Sequence, residues 1–439
     1  MKSKIQILTF FACLIAVSGY TQKIWNLQNC IDTALKKNIS VNQGQLNSNI
    51  NNTNLKRAKA QLFPNLNIDD AYSLNSGKTL DPYLNQYTHH ITSINDIALN
   101  SSVTLYNGSL LLNTIRQSNL NYKVGILDVE KLRNDIMINV LAAYMQVLMD
   151  YEAVSVAQAQ IDATEKQVNQ TNKFVEFGKV PEINLIQIQS QLASDQLTKI
   201  NTENQLQLDK LTLLQLMEIP VRSDFDIQKQ DISDLFPAIP MSSEEIMKIS
   251  VGFLPQIKSA QLRTDASVYS LKMAESGYFP KLIMGASVKS GFTSLNNGPF
   301  STQLNNNFNQ TIGLSLSIPI FNNFLVKSNT EIAKINFLNA QLNQQQIKND
   351  VRKSIEIAYT NQVSAGKKLV ATRKQMELEK RTYDDLEKKF LVGALDATTF
   401  LIEKNNYEKV SMALLQAKYD YVLKVKIVDF YMNKPLTFN

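Results

Sequence analysis

The sequence predicts a mainly α-helical protein with a transmembrane β-barrel, in which long antiparallel helices form an α-helical barrel and each chain adds four membrane strands. Three observations lead to this fold class. Glycine and proline number only 14 and 11 among 439 residues, which favours long uninterrupted helices. Short segments alternate apolar and polar residues with the period of a strand. The same order of elements occurs twice, so the fold is internally duplicated, and trimerisation would complete its barrel.

The chain begins with a predicted secretory signal peptide over residues 1–22. Lys2 and Lys4 precede an apolar run from Ile5 to Val17, and a small polar stretch follows it, as in cleaved export signals. The run is too short for a membrane-spanning helix, and no later stretch reaches about 18 consecutive apolar residues. A short buried N-terminal helix is the alternative interpretation. We expect an exported chain of this kind in the periplasm, outside the cell or in the outer membrane.

The two halves of the chain carry matching landmarks at offsets of 215 or 216 residues. The matches are Phe63-Pro64 with Phe279-Pro280, Leu105-Tyr-Asn-Gly108 with Ile320-Phe-Asn-Asn323, Gly178 with Gly393, and Met217 with Met432. Because the period is half the chain, the pattern indicates one duplicated module rather than a solenoid. We predict a first repeat over 23–220, a linker over 221–241, a second repeat over 242–434 and a short tail over 435–439.

Each repeat is predicted to contain a helix, two strands, a very long helix and a shorter returning helix. A Phe-Pro pair ends the first helix, because proline disfavours helical geometry in the residue before it. The long helices have about 68 residues each and would measure about 100 Å. The predicted elements of the first repeat cover 26–63, 66–75, 97–105, 109–176 and 181–218. Those of the second repeat cover 242–279, 282–294, 308–318, 324–390 and 396–433.

The strands carry apolar residues on one face and small polar residues on the other. Their length of about ten residues suits a tilted membrane strand, so we expect the apolar face to meet lipid. The expected lipid-facing positions are Leu99, Val103, Ile312, Leu314 and Leu316. A soluble antiparallel sheet with one face on a core is the alternative. Four strands cannot close a membrane barrel alone, so a homotrimer would supply twelve strands and a dimer eight.

Several short motifs, taken in order, resemble TolC-type outer membrane efflux proteins. They are the junctions at Pro64 and Pro280, the segment Ser317-Ile-Pro-Ile-Phe-Asn322 with Pro319 inside it, and the turns Phe177-Gly178 and Val392-Gly393. The resemblance covers essentially the whole mature chain. It implies a homotrimeric channel in contact with outer membrane lipid, with a twelve-stranded barrel above an α-helical tunnel in the periplasm. It also implies export of small molecules or proteins with a periplasmic adaptor (a membrane fusion protein) and an inner-membrane pump, as in efflux and type I secretion systems.

The resemblance further assigns the two glycine turns to a periplasmic tip that contacts the adaptor and forms a gate. Related channels commonly carry an aspartate six residues after the tip glycine, and in the second repeat another one three residues later. This chain departs from that pattern at Asn184, Thr399 and Ile402, so the familiar carboxylate ring is absent. Asp396 and Glu182 lie nearby but on different helix faces. We therefore expect divalent cations to block this gate only weakly.

The composition excludes several other classes of protein. The 45 basic and 39 acidic residues are scattered, without the clustered basic stripe of a nucleic-acid-binding protein. Two histidines and two cysteines rule out most His- or Cys-rich metal sites, and we expect the pair His89-His90 in an exposed loop. No signature of a nucleotide-binding, hydrolase or metalloprotease site occurs, so we expect neither catalysis nor a cofactor. A non-conducting periplasmic coiled-coil scaffold or adaptor stays open as the second interpretation.

Overall fold

The computed structural model describes residues 24–81, 83–88, 91–221, 225–230 and 241–436. The predicted signal peptide, His89-His90 and most of the predicted linker lie outside these residues. The chain forms two compact units, and each unit draws on both predicted repeats. The first unit comprises 1–43, 130–254 and 349–439, and the second comprises 44–129 and 255–348. The predicted repeats therefore do not coincide with the two compact units, and the boundaries of the repeats stay a prediction.

The helices and strands follow the predicted order in both halves. In the first half they are β1 (Ile24–Trp25), α1 (Leu27–Lys37), α2 (Ile39–Ala60), β2 (Asn65–Asn75), β3 (Thr79–Asp81), β4 (Gln86–Thr88), β5 (Thr92–Asn107), α3 (Leu110–Glu176), α4 (Glu182–Leu216) and β6 (Asp226–Ile227). In the second half they are α5 (Ser243–Phe253), α6 (Pro255–Glu275), a 3₁₀ turn (Ser276–Tyr278), β7 (Lys281–Thr293), α7 (Phe300–Asn306), β8 (Asn309–Ser317), α8 (Leu325–Leu391) and α9 (Ala397–Tyr431). With 67 residues each, α3 and α8 are about 100 Å long.

The prediction of one continuous helix at the start of each repeat is wrong, because each is broken into two. In the first half the side chain of Asn38 caps α2, accepting hydrogen bonds from the backbone N–H groups of Ser40 and Val41 at 3.0 and 3.3 Å. In the second half Pro255 follows Leu254, whose ψ of 122° is not helical. A capping asparagine in one half and a proline in the other therefore divide the predicted helices.

Three short features were not predicted. The hairpin β3–β4 lies in the polar loop between the strands of the first half, and α7 lies in the corresponding loop of the second half. In addition, β1 pairs in parallel with β6, so that Ile24 lies opposite Asp226. Each of these strands has two or three residues and α7 has seven, which is too short for a periodic pattern to emerge.

The second unit contains an antiparallel sheet in the order β2-β5-β7-β8. Its register pairs Val103 with Met284, and Met284 with Leu314. Because side chains alternate along each strand, this register puts all five predicted lipid-facing positions on one face. The other face is polar, and there the Asn100 amide donates a hydrogen bond to the Asp69 carboxylate at 2.8 Å. One face of the sheet is therefore mainly apolar and the other mainly polar, as the sequence predicts, with the hydrogen-bonded pair Asp70 and Asn95 as a polar exception on the apolar face.

The main apolar core of the first unit lies between α1, α3, α4 and α9. Tyr144 on α3 is fully buried there, and its hydroxyl donates a hydrogen bond to the carbonyl of Gln228 at 2.8 Å. Further members from the four helices include Leu27, Cys30, Ile31, Leu141, Leu148, Leu213, Met217, Tyr419 and Val422. In the part of the chain that the structure describes, no helix is long and apolar enough to cross a membrane.

One buried carboxylate on α3 has a strongly shifted pKa. Asp150 is only 4% exposed and accepts a hydrogen bond from the Gln146 amide at 3.0 Å. Burial, together with the neighbouring Asp209 on α4, raises the pKa of Asp150 to about 7. The charge of Asp150 therefore changes near neutral pH.

Candidate functional site

The turns at Gly178 and Gly393 join each long helix to its returning helix with the same backbone geometry. Their φ angles are +66° and +77°, the left-handed region that glycine adopts without strain. The N–H of Lys179 donates to the carbonyl of Phe174 at 2.8 Å, and the N–H of Gly178 donates to the carbonyl of Val175 at 2.9 Å. The second turn repeats both hydrogen bonds at 2.9 Å. Both turns are Schellman-type helix ends, and their φ angles explain the two glycines.

Each turn exposes an apolar side chain directly before its glycine. Phe177 is 74% exposed and Val392 is 77% exposed. Nothing lies within 4 Å of a Cβ placed on either glycine, so the space around both turns is open within the chain. The two turns thus present a matching pair of uncovered apolar side chains.

The helix that follows the second turn begins with a firmly capped residue. Asp396 accepts hydrogen bonds from the backbone N–H and the hydroxyl of Thr399 at 2.9 and 2.7 Å. These bonds lower the pKa of Asp396, so its carboxylate stays charged as a cap. In the first turn Pro181 precedes Glu182 and supplies no side-chain cap. The two helix starts therefore differ, although the glycine turns before them are alike.

The predicted gate residues lie in the first turns of the returning helices. Asn184 is half-buried on α4, whereas Thr399 and Ile402 are exposed on α9, Ile402 by 59%. Because they are three residues apart on a helix, Thr399 and Ile402 share one face. No described hydrogen bond joins these three side chains to one another. Their role as a gate stays a prediction.

The two helical hairpins pack against each other close to the turns through an apolar cluster. Ile188 of α4, Phe390 of α8 and Phe400 of α9 are buried in it, and the two phenylalanine rings stack with centroids 4.4 Å apart. Nearby, the Gln170 amide of α3 donates to the carbonyl of Leu391 at 3.3 Å. This cluster fixes the position of one turn relative to the other.

A buried ion pair joins the returning helices α4 and α9, and sequence reasoning missed it. Lys404 Nζ lies 2.8 Å from Asp195 Oδ2 and 2.7 Å from Glu408 Oε1, and the side chains of Lys404 and Asp195 are 2% and 4% exposed. The Gln191 amide and the Thr164 hydroxyl also donate hydrogen bonds to Asp195. Burial raises the pKa of Glu408, and Lys404 opposes that shift. Charged and polar side chains from α3, α4 and α9 therefore meet inside the unit.

One sequence signal could have pointed to this pair. Ala397, Phe400, Lys404 and Leu415 recur at helical spacing on α9, and all four are buried. A lysine in such a stripe must find an anionic partner, because an unpaired buried charge is very unfavourable. The partner Asp195 lies 209 residues earlier in the chain, so the pattern on α9 could not identify it.

The predicted lipid-facing residues leave an apolar surface that the described chain does not cover. Ile312, Leu314 and Leu316 on β8 are 74%, 68% and 61% exposed, Leu99 is 40% exposed and Val103 is half-buried. The three junction prolines lie between helices and strands, at Pro64 after α2, Pro280 before β7 and Pro319 after β8. An uncovered apolar face on a sheet of this length is typical of a protein in contact with lipid or with other chains.

This chain has long paired helices, a sheet with one uncovered apolar face, and an order of elements that occurs twice. These features are those of the class of outer membrane channels. The sequence matches the outer membrane efflux protein family over residues 30–217 and 254–428. The chain belongs to this family, which is a family of channel proteins. Its site of action is the outer membrane, with the helical part in the periplasm, and its function is that of an efflux channel.

Individual relatives and solved structures agree with this assignment. Outer membrane protein TolC of Escherichia coli (strain K12) is 23% identical over 388 residues, which are 84% of this chain and 74% of that protein. Outer membrane efflux protein BepC of Brucella suis biovar 1 is 22% identical over 400 residues, 90% of this chain and 83% of that protein. The structure of CusC gives a TM-score of 0.81 at 17% identity, covering 93% and 92% of the two chains. The Campylobacter jejuni CmeC outer membrane channel gives 0.76 at 19% identity, covering 92% and 85%.

Proposed function

We propose that the protein acts as a homotrimer that exports small molecules or proteins, together with a periplasmic adaptor and an inner-membrane pump. The observation that carries this proposal is the open sheet. Within the described residues, β2 pairs only with β5, and β8 pairs only with β7. Unpaired backbone groups in lipid cost several kcal/mol each, so other copies must supply the missing strands. Three copies would give a closed barrel of twelve strands.

The apolar face of the sheet supports contact with outer membrane lipid. The four strands have between 9 and 16 residues, enough for a tilted membrane strand. In water, the exposure of Ile312, Leu314 and Leu316 on one strand would be unfavourable, whereas in lipid it stabilises the barrel. The polar face would then line the lumen.

The two turns support a contact with the adaptor and a gate at the periplasmic end. The exposed side chains of Phe177 and Val392 suit an apolar partner surface. The gate would be lined by Asn184, Thr399 and Ile402, without a carboxylate ring. Since the carboxylate of Asp396 is held as a helix cap, an uncharged gate with weak affinity for divalent cations is the arrangement that we propose.

The relatives support the proposed cargo and the proposed duplication. One relative is named toxin and drug export protein A, from Aggregatibacter actinomycetemcomitans, and is 22% identical over 333 residues. Its name states export of both a toxin and a drug, so it supports a broad cargo here. The two segments that match the family, 30–217 and 254–428, lie inside the predicted repeats 23–220 and 242–434, which supports an origin by duplication of one module.

Site-specific photo-crosslinking in cells tests the proposed adaptor contact. A photo-reactive residue replaces Phe177 or Val392, and crosslinked proteins are identified by mass spectrometry. Val221, which is 73% exposed after the end of α4, is the matched control. We expect both tip positions, but not position 221, to capture a periplasmic adaptor. Capture of no adaptor at either tip position would contradict the assignment of the turns.

Conductance in planar bilayers separates the channel from the non-conducting scaffold. Purified full-length protein is added to one side of the bilayer, and single-channel currents are recorded. A channel should give discrete conductance steps, and these should appear only after the protein has inserted into the bilayer. A periplasmic scaffold should give no currents and should not insert into vesicles, which a protease-protection assay would show.

A further inference from the structure

A cavity of about 370 Å³ lies between α3, α8 and α9, beside the buried ion pair. One wall is apolar and is formed by Val156, Ala159 and Ala163 of α3. The other walls are polar, and α8 and α9 supply them. The volume falls within the range of small-molecule sites in proteins. The cavity can therefore hold an organic molecule with one apolar and one polar side.

The charges around this cavity do not balance. Lys404 is the only cationic side chain among its lining residues, and it already contacts Asp195 and Glu408 at 2.8 and 2.7 Å. Glu387 of α8 also lines the cavity, and it forms no ion pair with any residue that the structure describes. The lining thus holds one lysine and two carboxylates, Glu387 and Glu408, and the lysine is shared with the buried Asp195, so acidic groups are in excess. Such an excess in a partly buried site favours a cationic ligand.

Two tyrosine rings lie beside these carboxylates. Tyr383 and Tyr407 both line the cavity, and their rings stack with centroids 4.7 Å apart and an angle of 16° between the planes. The Tyr383 hydroxyl donates a hydrogen bond to Glu387 at 3.1 Å, so the carboxylate is held next to the rings. Burial, followed by the nearby carboxylates Asp384 and Glu387, raises the pKa of Tyr407, in line with a negative field. Aromatic faces next to carboxylates attract organic cations.

We propose that this cavity binds an organic cation, with its charge beside Glu387 and Glu408 and its apolar body against α3. A bare metal ion suits the site less well, because the described residues hold no cluster of three or more His, Cys, Asp or Glu side chains that could bind one. A bound molecule would touch α3 of the first hairpin and both α8 and α9 of the second. Each chain contains the whole cavity, so the proposal does not depend on a trimer, an adaptor or a pump.

Binding of ethidium, a planar aromatic cation, tests the proposal. Full-length protein in a non-ionic detergent is titrated into ethidium, and binding is followed by fluorescence anisotropy. We expect one site per chain. Glu387→Gln should raise the Kd about tenfold, because it removes a charged partner of the ligand, and Tyr407→Leu should also weaken binding. The control Glu377→Gln removes a carboxylate from the same helix that is paired on the surface with Lys374 and Arg381, and it should bind like the native protein.

A thermal measurement keeps the test valid if a variant is less stable. Ethidium should raise the Tm of the native protein and of Glu377→Gln, and should raise that of Glu387→Gln less at the same concentration. Equal affinity in the native protein and Glu387→Gln would overturn the proposal, as would an equal loss in Glu377→Gln. Neither result bears on the export function, because no adaptor, pump or second membrane is present in the titration.

Discussion

Removing the charge of Lys404 should destabilise the helical part of the protein strongly. Lys404 is 2% exposed and lies within 2.8 Å of Asp195 and 2.7 Å of Glu408. Lys404→Met keeps the length and apolar stem of the side chain but removes its ammonium group. Two carboxylates then stay inside the unit without their cation. The variant therefore isolates the electrostatic part of this contact from its packing.

The expected cost follows from the burial of the pair. Breaking a buried ion pair by removing one partner costs about 3–5 kcal/mol, because the remaining charge is uncompensated. Asp195 keeps the hydrogen bond from the Gln191 amide at 2.7 Å, so we expect the lower part of this range. For 439 residues the entropy of unfolding is about 0.9 kcal/mol/K. The Tm of Lys404→Met should therefore lie about 3–5 °C below that of the native protein.

Thermal unfolding of purified protein in detergent, followed by far-UV circular dichroism at one fixed scan rate, measures this effect. Lys389→Met is the matched control, because Lys389 pairs with Asp385 at 2.7 Å on the surface, with side chains 54% and 63% exposed. The control should shift the Tm by less than about 1 °C. Adding Asp195→Asn and Glu408→Gln to Lys404→Met should restore most of the loss. An unchanged Tm in Lys404→Met, or a shift equal to that of the control, would show that the two buried carboxylates do not depend on Lys404.

Three further predictions concern the sheet, the gate and pH. Leu314→Arg should impair insertion, because a cation at mid-membrane costs about 2–4 kcal/mol per chain, whereas Ser315→Arg on the polar face should insert and change conductance; equal insertion into vesicles would contradict the assignment of the faces. Thr399→Asp combined with Ile402→Asp should create cation selectivity and divalent block in planar bilayers, and no change would mean that this face does not line the pore. Asp150 keeps its proton up to about pH 7 when folded but releases it near pH 3.9 when unfolded, so stability should fall as pH rises between these values. Asp150→Asn should flatten this part of the Tm–pH curve, and an unaltered curve would contradict the shifted pKa.

The architecture could be predicted from the sequence because long-range patterns encode it. Helices of 67 residues and strands of nine or more residues contain enough periods for their type and apolar face to emerge. The glycine turns were also predictable, since the left-handed φ angles of Gly178 and Gly393 favour glycine over other residues. The helix break at Pro255 could have been predicted, because proline lacks the backbone N–H that a helix hydrogen bond requires. The break at Asn38 was not, because asparagine also occurs inside helices.

The interior of the helical part was much harder to predict than its outline. The contact of Asp195 with Lys404 joins residues 209 positions apart. An amphipathic pattern shows which face of a helix is buried, but it does not show which other helix packs against that face. The cavity beside Tyr383, Glu387 and Tyr407 likewise depends on the packing of three helices that are distant in sequence. Sequence patterns therefore locate elements and faces, whereas the pairing of buried charges requires the folded structure.

The mass of the purified protein in detergent shows whether the barrel is completed between chains. Multi-angle light scattering coupled to size-exclusion chromatography separates the mass of protein from that of detergent. Three chains of 49.6 kDa, less their signal peptides, amount to about 140–150 kDa. We expect this mass, because four strands per chain leave two open edges whose backbone groups membrane lipid cannot satisfy. A stable, detergent-solubilised species with the mass of one chain would contradict it.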